Sequence, residues 1–222
     1  MQISEFLSRE IAAGRLAHGA RLPPERAMAD ELGVAVGTLR RALRDLTQRG
    51  LLERVQGSGN YVRDTGDDRS VYAFFRLERP EGGGLPTAQV LSARPSAPPE
   101  AGWAQGAGLE ALQIRRVRAL DGCAIALEEI WLHGDGARDL TAEDLSESLY
   151  LTYRRRLGIT IERAEDRIGI GAVPEWGGAC LALAPGASCG HVARRSWAAG
   201  RLVEISQTWF DAERARYVSR LR

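Results

Sequence analysis

Between Leu22 and Val62 the chain reads LPPERAMADELGVAVGTLRRALRDLTQRGLLERVQGSGNYV, and few folds accept that succession of signals. Pro24 suits the start of a helix, where a missing N–H forfeits no internal bond. Ala27, Leu32 and Val34 supply apolar points around Gly33, whose place fits a left-handed helix end. A second helix follows with Leu39, Leu43 and Leu46 on one face and a stop at Gly50. Residues 51–54 and 60–63 then read as two short strands tipped by Gln56-Gly57-Ser58-Gly59. Upstream, Ile3, Phe6, Leu7 and Ile11 mark an earlier amphipathic helix ending near Gly14. Three helices and a glycine-tipped hairpin make a winged helix-turn-helix.

The wet face of the second helix carries Gly37, Thr38, Arg40, Arg41 and Arg44. An arginine can grip a phosphate or make a paired contact to guanine, and a glycine lets the helix start approach a groove closely. A run of arginines is by itself most often a solvated helix face. Here it coincides with the helix-turn-helix and the wing, which favours contact with double-stranded DNA. Residues 1–63 hold ten arginines against seven acids, while the whole chain is only +1. Electrostatics therefore assists such binding without dominating it.

With 222 residues the chain is long enough for two modest cores. No apolar run approaches the roughly 20 residues needed to span a bilayer. The opening residues read as helix rather than as a charged-then-apolar leader. Cys123, Cys180 and Cys189 are odd in number and lack metal-ligand spacing, as expected of reduced thiols in a cytoplasmic protein. His18, His133 and His191 are scattered singly, no nucleophile–base set has a supporting motif, and Gly57-Ser58-Gly59 lacks the third glycine of a dinucleotide site. No metal, no cofactor and no catalytic centre are expected.

Residues 64–70 (DTGDDRS) are short, polar and acidic, and read as a linker between a domain at 1–63 and another at 71–222. Beyond it, Ser70 to Leu77 and Thr87 to Ala93 are expected as strands around Gly82-Gly83-Gly84. Gln113 to Leu120 and Ala124 to Leu132 form a hairpin turned at Asp121-Gly122. A helix is expected over Ser148 to Leu157, ended by Gly158. There follow a strand over Ile159 to Ile170, a helix from Pro174 to about Leu183, and a hairpin of His191 to Ala198 with Arg201 to Phe210. The fold class is α+β.

In a strand, Arg116 and Arg118 point to one face, two guanidiniums within reach of one anion. Ser148 offers a hydroxyl near a helix start, and Glu128 on the next strand can accept from a hydroxyl or amine. A cross-strand ion pair of these arginines with Glu128, serving structure alone, is the competing reading.

The first domain resembles the DNA-binding domain of the GntR family of bacterial transcription regulators. The resemblance is carried by Ala13-Gly14-Arg15-Leu16, Gly19, Leu22-Pro23-Pro24-Glu25-Arg26, Leu32-Gly33-Val34, Thr38-Leu39-Arg40, Ala42-Leu43, Gly50-Leu51 and Gln56-Gly57-Ser58-Gly59. It implies DNA contacts from Arg26 and Arg40 and a wing reaching the minor groove through Gly57-Ser58-Gly59. Ala35-Val36 departs from the family's Ser/Thr-Arg, so Arg41 is left to take over part of that arginine's role.

Residues 71–220 resemble the UTRA domain of the HutC subfamily of these regulators, a curved antiparallel sheet similar to chorismate lyase. The matching pieces are Arg116-Val117-Arg118 before Asp121-Gly122, Ala126-Leu127-Glu128, Ser148-Leu149-Tyr150, Gly158-Ile159, Ala164-Glu165, and Gly200 through Glu204-Ile205-Ser206 to Arg214. The resemblance implies an effector site formed by Arg116, Arg118, Glu128, Ser148 and Tyr150, with Glu204 and Phe210 in the closing strand. Phe74-Phe75-Arg76, where sugar-phosphate-binding relatives have small hydroxyl residues, implies a bulkier pocket with different charge. So does the closing run Trp209-Phe210-Asp211-Ala212-Glu213-Arg214. Trp131 in place of a tyrosine points the same way.

The expectation is a homodimeric, non-enzymatic repressor, released from operator DNA by an acidic small molecule. The competing classes are a chorismate-lyase-like enzyme fused to a DNA-binding domain, and an architectural DNA binder whose second domain only dimerises.

Overall fold

The computed structural model describes residues 3–12, 16, 19–63, 76–84, 86–98, 111–146, 148–177 and 180–219. The expected linker 64–70, the start of the strand expected from Ser70, Phe74-Phe75 and Gly14 lie outside these residues. The described residues fall into two compact units, one within Met1–Arg76 and one within Leu77–Val218.

In the first unit, α1 (Ile3–Ala12), α2 (Glu25–Glu31) and α3 (Val36–Gln48) precede the hairpin of β1 (Leu52–Val55) and β2 (Gly59–Val62). The core is continuous: Ile3, Leu7 and Ile11 meet Met28 and Ala29, the stripe Leu39, Ala42, Leu43 and Leu46, and Leu52 and Val62. Two expectations shift here. Pro24 is the residue before α2, with extended backbone, rather than part of its first turn. The buried points of α2 are therefore Met28 and Ala29, while Ala27 faces solvent. Gly33 adopts φ +64°, the left-handed turn that joins α2 to α3. The sequence did not announce a third strand-like segment: Arg21 bridges Tyr61, and Leu22 N–H donates to the Asn60 carbonyl, at the back of the hairpin.

The second unit is built on an antiparallel sheet in the order β4-β5-β6-β9-β8-β7. Its strands are β4 (Pro86–Ser96), β5 (Ala111–Leu120), β6 (Cys123–Leu132), β7 (Arg163–Ala172), β8 (Ser188–Ala198) and β9 (Arg201–Phe210). A two-residue pair, β3 (Leu77–Glu78) with β10 (Arg216–Tyr217), stands apart from it. The β5–β6 turn, Asp121-Gly122, has φ +49° and +78°, the mirror-image turn whose twist matches its strands. Between β6 and β7 lies α4 (Leu149–Thr152), continued by a wider turn over Tyr153–Leu157 and ended by Gly158 at φ +67°. One extra residue, Val203, bulges out of β9 where the register against β8 shifts.

Two expected elements differ. The strand expected from Ile159 begins at Arg163, because residues 158–162 form the descent from the helix. The helix expected after Pro174 is only a single turn, Glu175–Gly177. The reason is a close approach: a Cβ on Gly177 would lie 2.0 Å from Leu127 Cδ1. This segment therefore packs directly on the sheet, adding Val173, Trp176 and Leu181 to the apolar cluster around Val117 and Leu127.

Candidate functional site

On α3 the burial of Leu39, Ala42, Leu43 and Leu46 leaves Gly37, Thr38, Arg40, Arg41 and Arg44 exposed. Arg40 Nε donates to Glu25 Oε2 at 2.5 Å, which steadies its stem while the side chain stays 59% exposed. A groove between α3 and the hairpin is lined by Glu25, Arg40, Arg44, Arg54 and Asn60. Arg54 and Asn60 carried no signal in the sequence, since a strand residue's partners depend on how the hairpin packs. Arg26 is exposed at the start of α2, and Gln56 and Gly57 are exposed at the wing tip. Gly57 takes φ +76°. The Ser58 hydroxyl bonds the Tyr61 hydroxyl at 2.6 Å, and a Cβ on Gly59 would meet Arg21 Nε at 3.3 Å.

In the second unit, the register collects the other candidates on one face of the sheet. Arg116 stands opposite Glu128, which stands opposite Thr208; Ala126 stands opposite Phe210, and Leu132 opposite Glu204. Because side chains alternate across a strand, Arg116, Arg118, Glu128, Glu204, Ser206, Thr208 and Phe210 share that face. β8 adds Gly190, Arg194 and Ser196.

Arg116 Nε donates to Glu128 Oε2 in a largely buried pair. The cross-strand ion pair weighed against a ligand role is thus present, and Arg118 and Arg194 act on the same carboxylate. Burial alone would raise Glu128, but the charges of Arg116, Arg118 and Arg194 and the Arg116 hydrogen bond together hold it below the ordinary value.

Glu204, only 2% exposed, is gripped by three hydroxyls. Tyr153 donates to Oε2 at 2.8 Å, and Tyr150 and Ser196 donate to Oε1 at 3.1 and 3.0 Å. Burial pushes its carboxyl above the ordinary value despite those bonds and the Arg194 charge. The same burial, with Glu204 beside them, raises Tyr150 and Tyr153, so both phenols stay protonated. These bonds anchor α4 over the sheet. Ser148 lies at the start of that helix and is buried, and its hydroxyl accepts from Leu151 N–H at 3.4 Å. It is thus the cap of its own helix, where the sequence predicts a hydroxyl turned to a ligand.

Phe210 is also buried, its ring lying over Gly190 on the next strand: a Cβ there would come within 2.3 Å of the ring. A glycine inside a strand marks such an approach, and Gly190 thereby shapes this face beside Phe210, a role the sequence alone does not signal. Gly190→Ala should displace the Phe210 ring and destabilise the unit by about 1–3 kcal/mol, the usual cost of overpacking. A urea titration followed by tryptophan fluorescence checks this, and an unchanged midpoint would refute it. Trp131, singled out as a pocket residue, falls on the opposite face, since it alternates with Glu128 and Ile130 along β6 and is buried there. Arg194 is the other functional residue missed; nothing in β8 distinguishes it from Arg195 until the register is known. Among the described residues no group of three metal-ligating side chains occurs, and no helix is long and apolar enough to cross a membrane.

Comparison with known proteins agrees with both halves of this architecture. Residues 1–62 match the bacterial regulatory proteins of the gntR family, and residues 81–216 match the UTRA domain. The HTH-type transcriptional regulator SmoD of Agrobacterium fabrum is 55% identical over 100% of this chain and 95% of its own. The mannosyl-D-glycerate transport/metabolism system repressor MngR of Escherichia coli is 30% identical over 75% of this chain and 72% of its own. Among solved structures, the ligand-binding domain of a GntR-family regulator from Bordetella bronchiseptica superposes with a TM-score of 0.61. It is 26% identical and covers 67% of this chain and 98% of that one. PhnF of Mycobacterium smegmatis, 24% identical with a TM-score of 0.54, shares the fold over 92% of this chain and 93% of its own.

Proposed function

This chain belongs to the GntR family of bacterial transcriptional regulators, with a UTRA domain behind its winged helix, and from that premise we propose that it is a repressor released from its operator by an acidic small molecule. The HutC subfamily is the group we assign it to. The observation that carries the ligand class is the convergence of Arg116, Arg118 and Arg194 on one buried face. On that face Arg116 pairs with Glu128 and Arg194 with Asp166, and all three guanidiniums act on the Glu128 carboxylate. Guanidiniums gathered on one face suit an anionic group, which they can hold through charge-assisted, two-pronged hydrogen bonds. The hydroxyl-rich rim of Tyr150, Ser196, Ser206 and Thr208 favours a ligand with hydroxyls at its other end. A carboxylate on a polyhydroxylated molecule, the chemistry in the name of the mannosyl-D-glycerate repressor, fits that description. The proposed contacts are Arg116, Arg118, Glu128, Ser148, Tyr150, Glu204 and Phe210.

On the DNA side we assign Arg26, Gly37, Thr38, Arg40, Arg41, Arg44 and the wing Gln56 to Gly59 to operator contact. The regulator acts in the cytoplasm as a homodimer whose recognition helices address half-sites about 34 Å apart, and the effector stabilises a geometry that misses that spacing. Arg40→Ala should weaken specific operator binding by about 1–3 kcal/mol at fixed salt without changing the fold. Unchanged affinity would remove α3 from its role as reader.

A thermal-shift screen of the full chain against carboxylated, phosphorylated and sulfonated sugars tests the ligand class. Saturating ligand at 100 times Kd should add about 2.7 kcal/mol of stability. Arg118→Ala should lose about 1.5–3 kcal/mol of effector binding, the range of a charge-assisted bond, while binding operator as before. A gel shift then decides: release of the Arg118→Ala chain at wild-type effector concentration, or a response to neutral sugars alone, would refute the proposal.

A further inference from the structure

Residues 19–22 run antiparallel beside β2. Gly19 N–H donates to the Val62 carbonyl at 2.8 Å, Val62 N–H to that of Ala20 at 2.9 Å, and Leu22 N–H to that of Asn60 at 2.8 Å. Arg21 thereby stands opposite Tyr61. Side chains alternate along an extended segment, and Leu22 is buried in the core, so Arg21 points outward and is exposed. Its guanidinium lies along the wing: a Cβ on Gly59 would sit 3.3 Å from Nε and 3.8 Å from Nη2. The bare backbone of Gly59 leaves the room it occupies.

The wing has no charge of its own. Residues 55–62 read VQGSGNYV, and the Ser58 hydroxyl is engaged with that of Tyr61. Arg54 stands opposite Asn60, on the hairpin face that also carries Leu52 and Val62, and it lines the groove toward α3. Arg21 is on the other face, in the cross-strand row Glu53–Tyr61–Arg21, with Tyr61 between it and the acid. Among the described residues no carboxylate pairs with Arg21.

We infer, resting on the assignment of the wing to DNA, that Arg21 is the wing's cation and grips a phosphate of the DNA backbone beside the tip. A guanidinium is a planar fork matched to two phosphate oxygens. Backbone pairing with β2 fixes where the side chain starts, and Gly59 fixes where its charged end lies. Less freedom is therefore lost on contact than by a side chain on an open surface. Its place beside Gly59, rather than at Gly57-Ser58, favours a phosphate over a base edge. Such a contact orients the wing without reading sequence.

A phosphate contact is blind to sequence, so the test uses duplexes of contrasting composition. Fluorescence anisotropy of the full chain with an A·T-rich and a G·C-rich duplex, over a range of salt, gives the slope of log affinity against log salt. Each phosphate contact adds about 0.9 to its magnitude. Arg21→Ala should lower the magnitude by about 0.9 on both duplexes, and Arg21→Lys should keep it, since lysine binds phosphate as a point charge. Arg201→Ala, which removes an exposed arginine at the β8–β9 turn, should leave the slope unchanged. Should Arg21→Ala fail to fold, Arg21→Gln, which keeps most of the stem and loses the charge, decides by the same slope. An unchanged slope in Arg21→Ala, while Arg41→Ala and Arg44→Ala lower it, overturns the inference and leaves the DNA face intact. If none of the three lowers it, the DNA face is misassigned and the inference falls with it. A loss confined to the A·T-rich duplex would put Arg21 on base edges in the minor groove and overturn the phosphate contact.

Discussion

Arg116→Ala is expected to lower the unfolding free energy of the C-terminal unit by about 3–5 kcal/mol, because it leaves the buried Glu128 without its hydrogen-bonded counter-ion. The loss should depend on pH in a defined direction. In the wild type Glu128 is held below the ordinary carboxylate value of 4.5, so its contribution is present above that value and disappears as the pH falls through the depressed one. In the variant the hydrogen-bonded arginine is gone, so ionisation of Glu128 contributes less to folding, with only the charges of Arg118 and Arg194 left to favour it. The gap between the two proteins should therefore be widest near neutrality and narrow in acid. All five tryptophans lie beyond residue 100, so their fluorescence follows this unit alone in urea titrations. A gap under about 1 kcal/mol at neutral pH, or one that stays constant into acid, would mean that the pair is too well hydrated to matter.

Leu39→Ala should cost the N-terminal unit about 2–5 kcal/mol, the range for truncating a fully enclosed leucine. Leu39 has no exposed surface and sits where α3 meets the rest of its core. Operator binding should fail with it, although no exposed side chain of α3 has changed. Hydrogen exchange of the α3 amides checks the effect, and the tryptophan transition of the other unit serves as control. Full protection of Val36–Gln48 in the variant would show that the hairpin, not the leucine stripe, holds α3.

How much of this could be read from the residues divides along physical lines. The helix-turn-helix was legible because its signals are local: a leucine stripe, a left-handed glycine and a glycine-tipped hairpin lie within some forty residues. The same holds for the Asp121-Gly122 turn. The second site was legible in part. Arg116 and Arg118 share a face by alternation within one strand, and Glu128 follows from a short hairpin. Arg194 and Gly190 did not follow, because their place depends on β8 pairing with β9 and on the order of the sheet. The helix expected after Pro174 failed for a related reason: its apolar residues have helical spacing, but the sheet beneath claims them first.

The bulge at Val203 gives this unit an arithmetic of its own. Near the turn, Trp197 stands opposite Leu202; past the bulge, Ser196 stands opposite Glu204, one residue further on. Were the strand to run without the bulge, with Val203 taking the place opposite Ser196, every later pairing would slip by one. Glu204, Ser206, Thr208 and Phe210 would then turn to the opposite side of the sheet together. The candidate site is thus a matter of parity as well as of chemistry. It can change gradually by substitution, one contact at a time, but a slip of register at this point would invert half of it at a stroke. The chemistry of this face is thus set residue by residue, whereas its side is set once, at Val203.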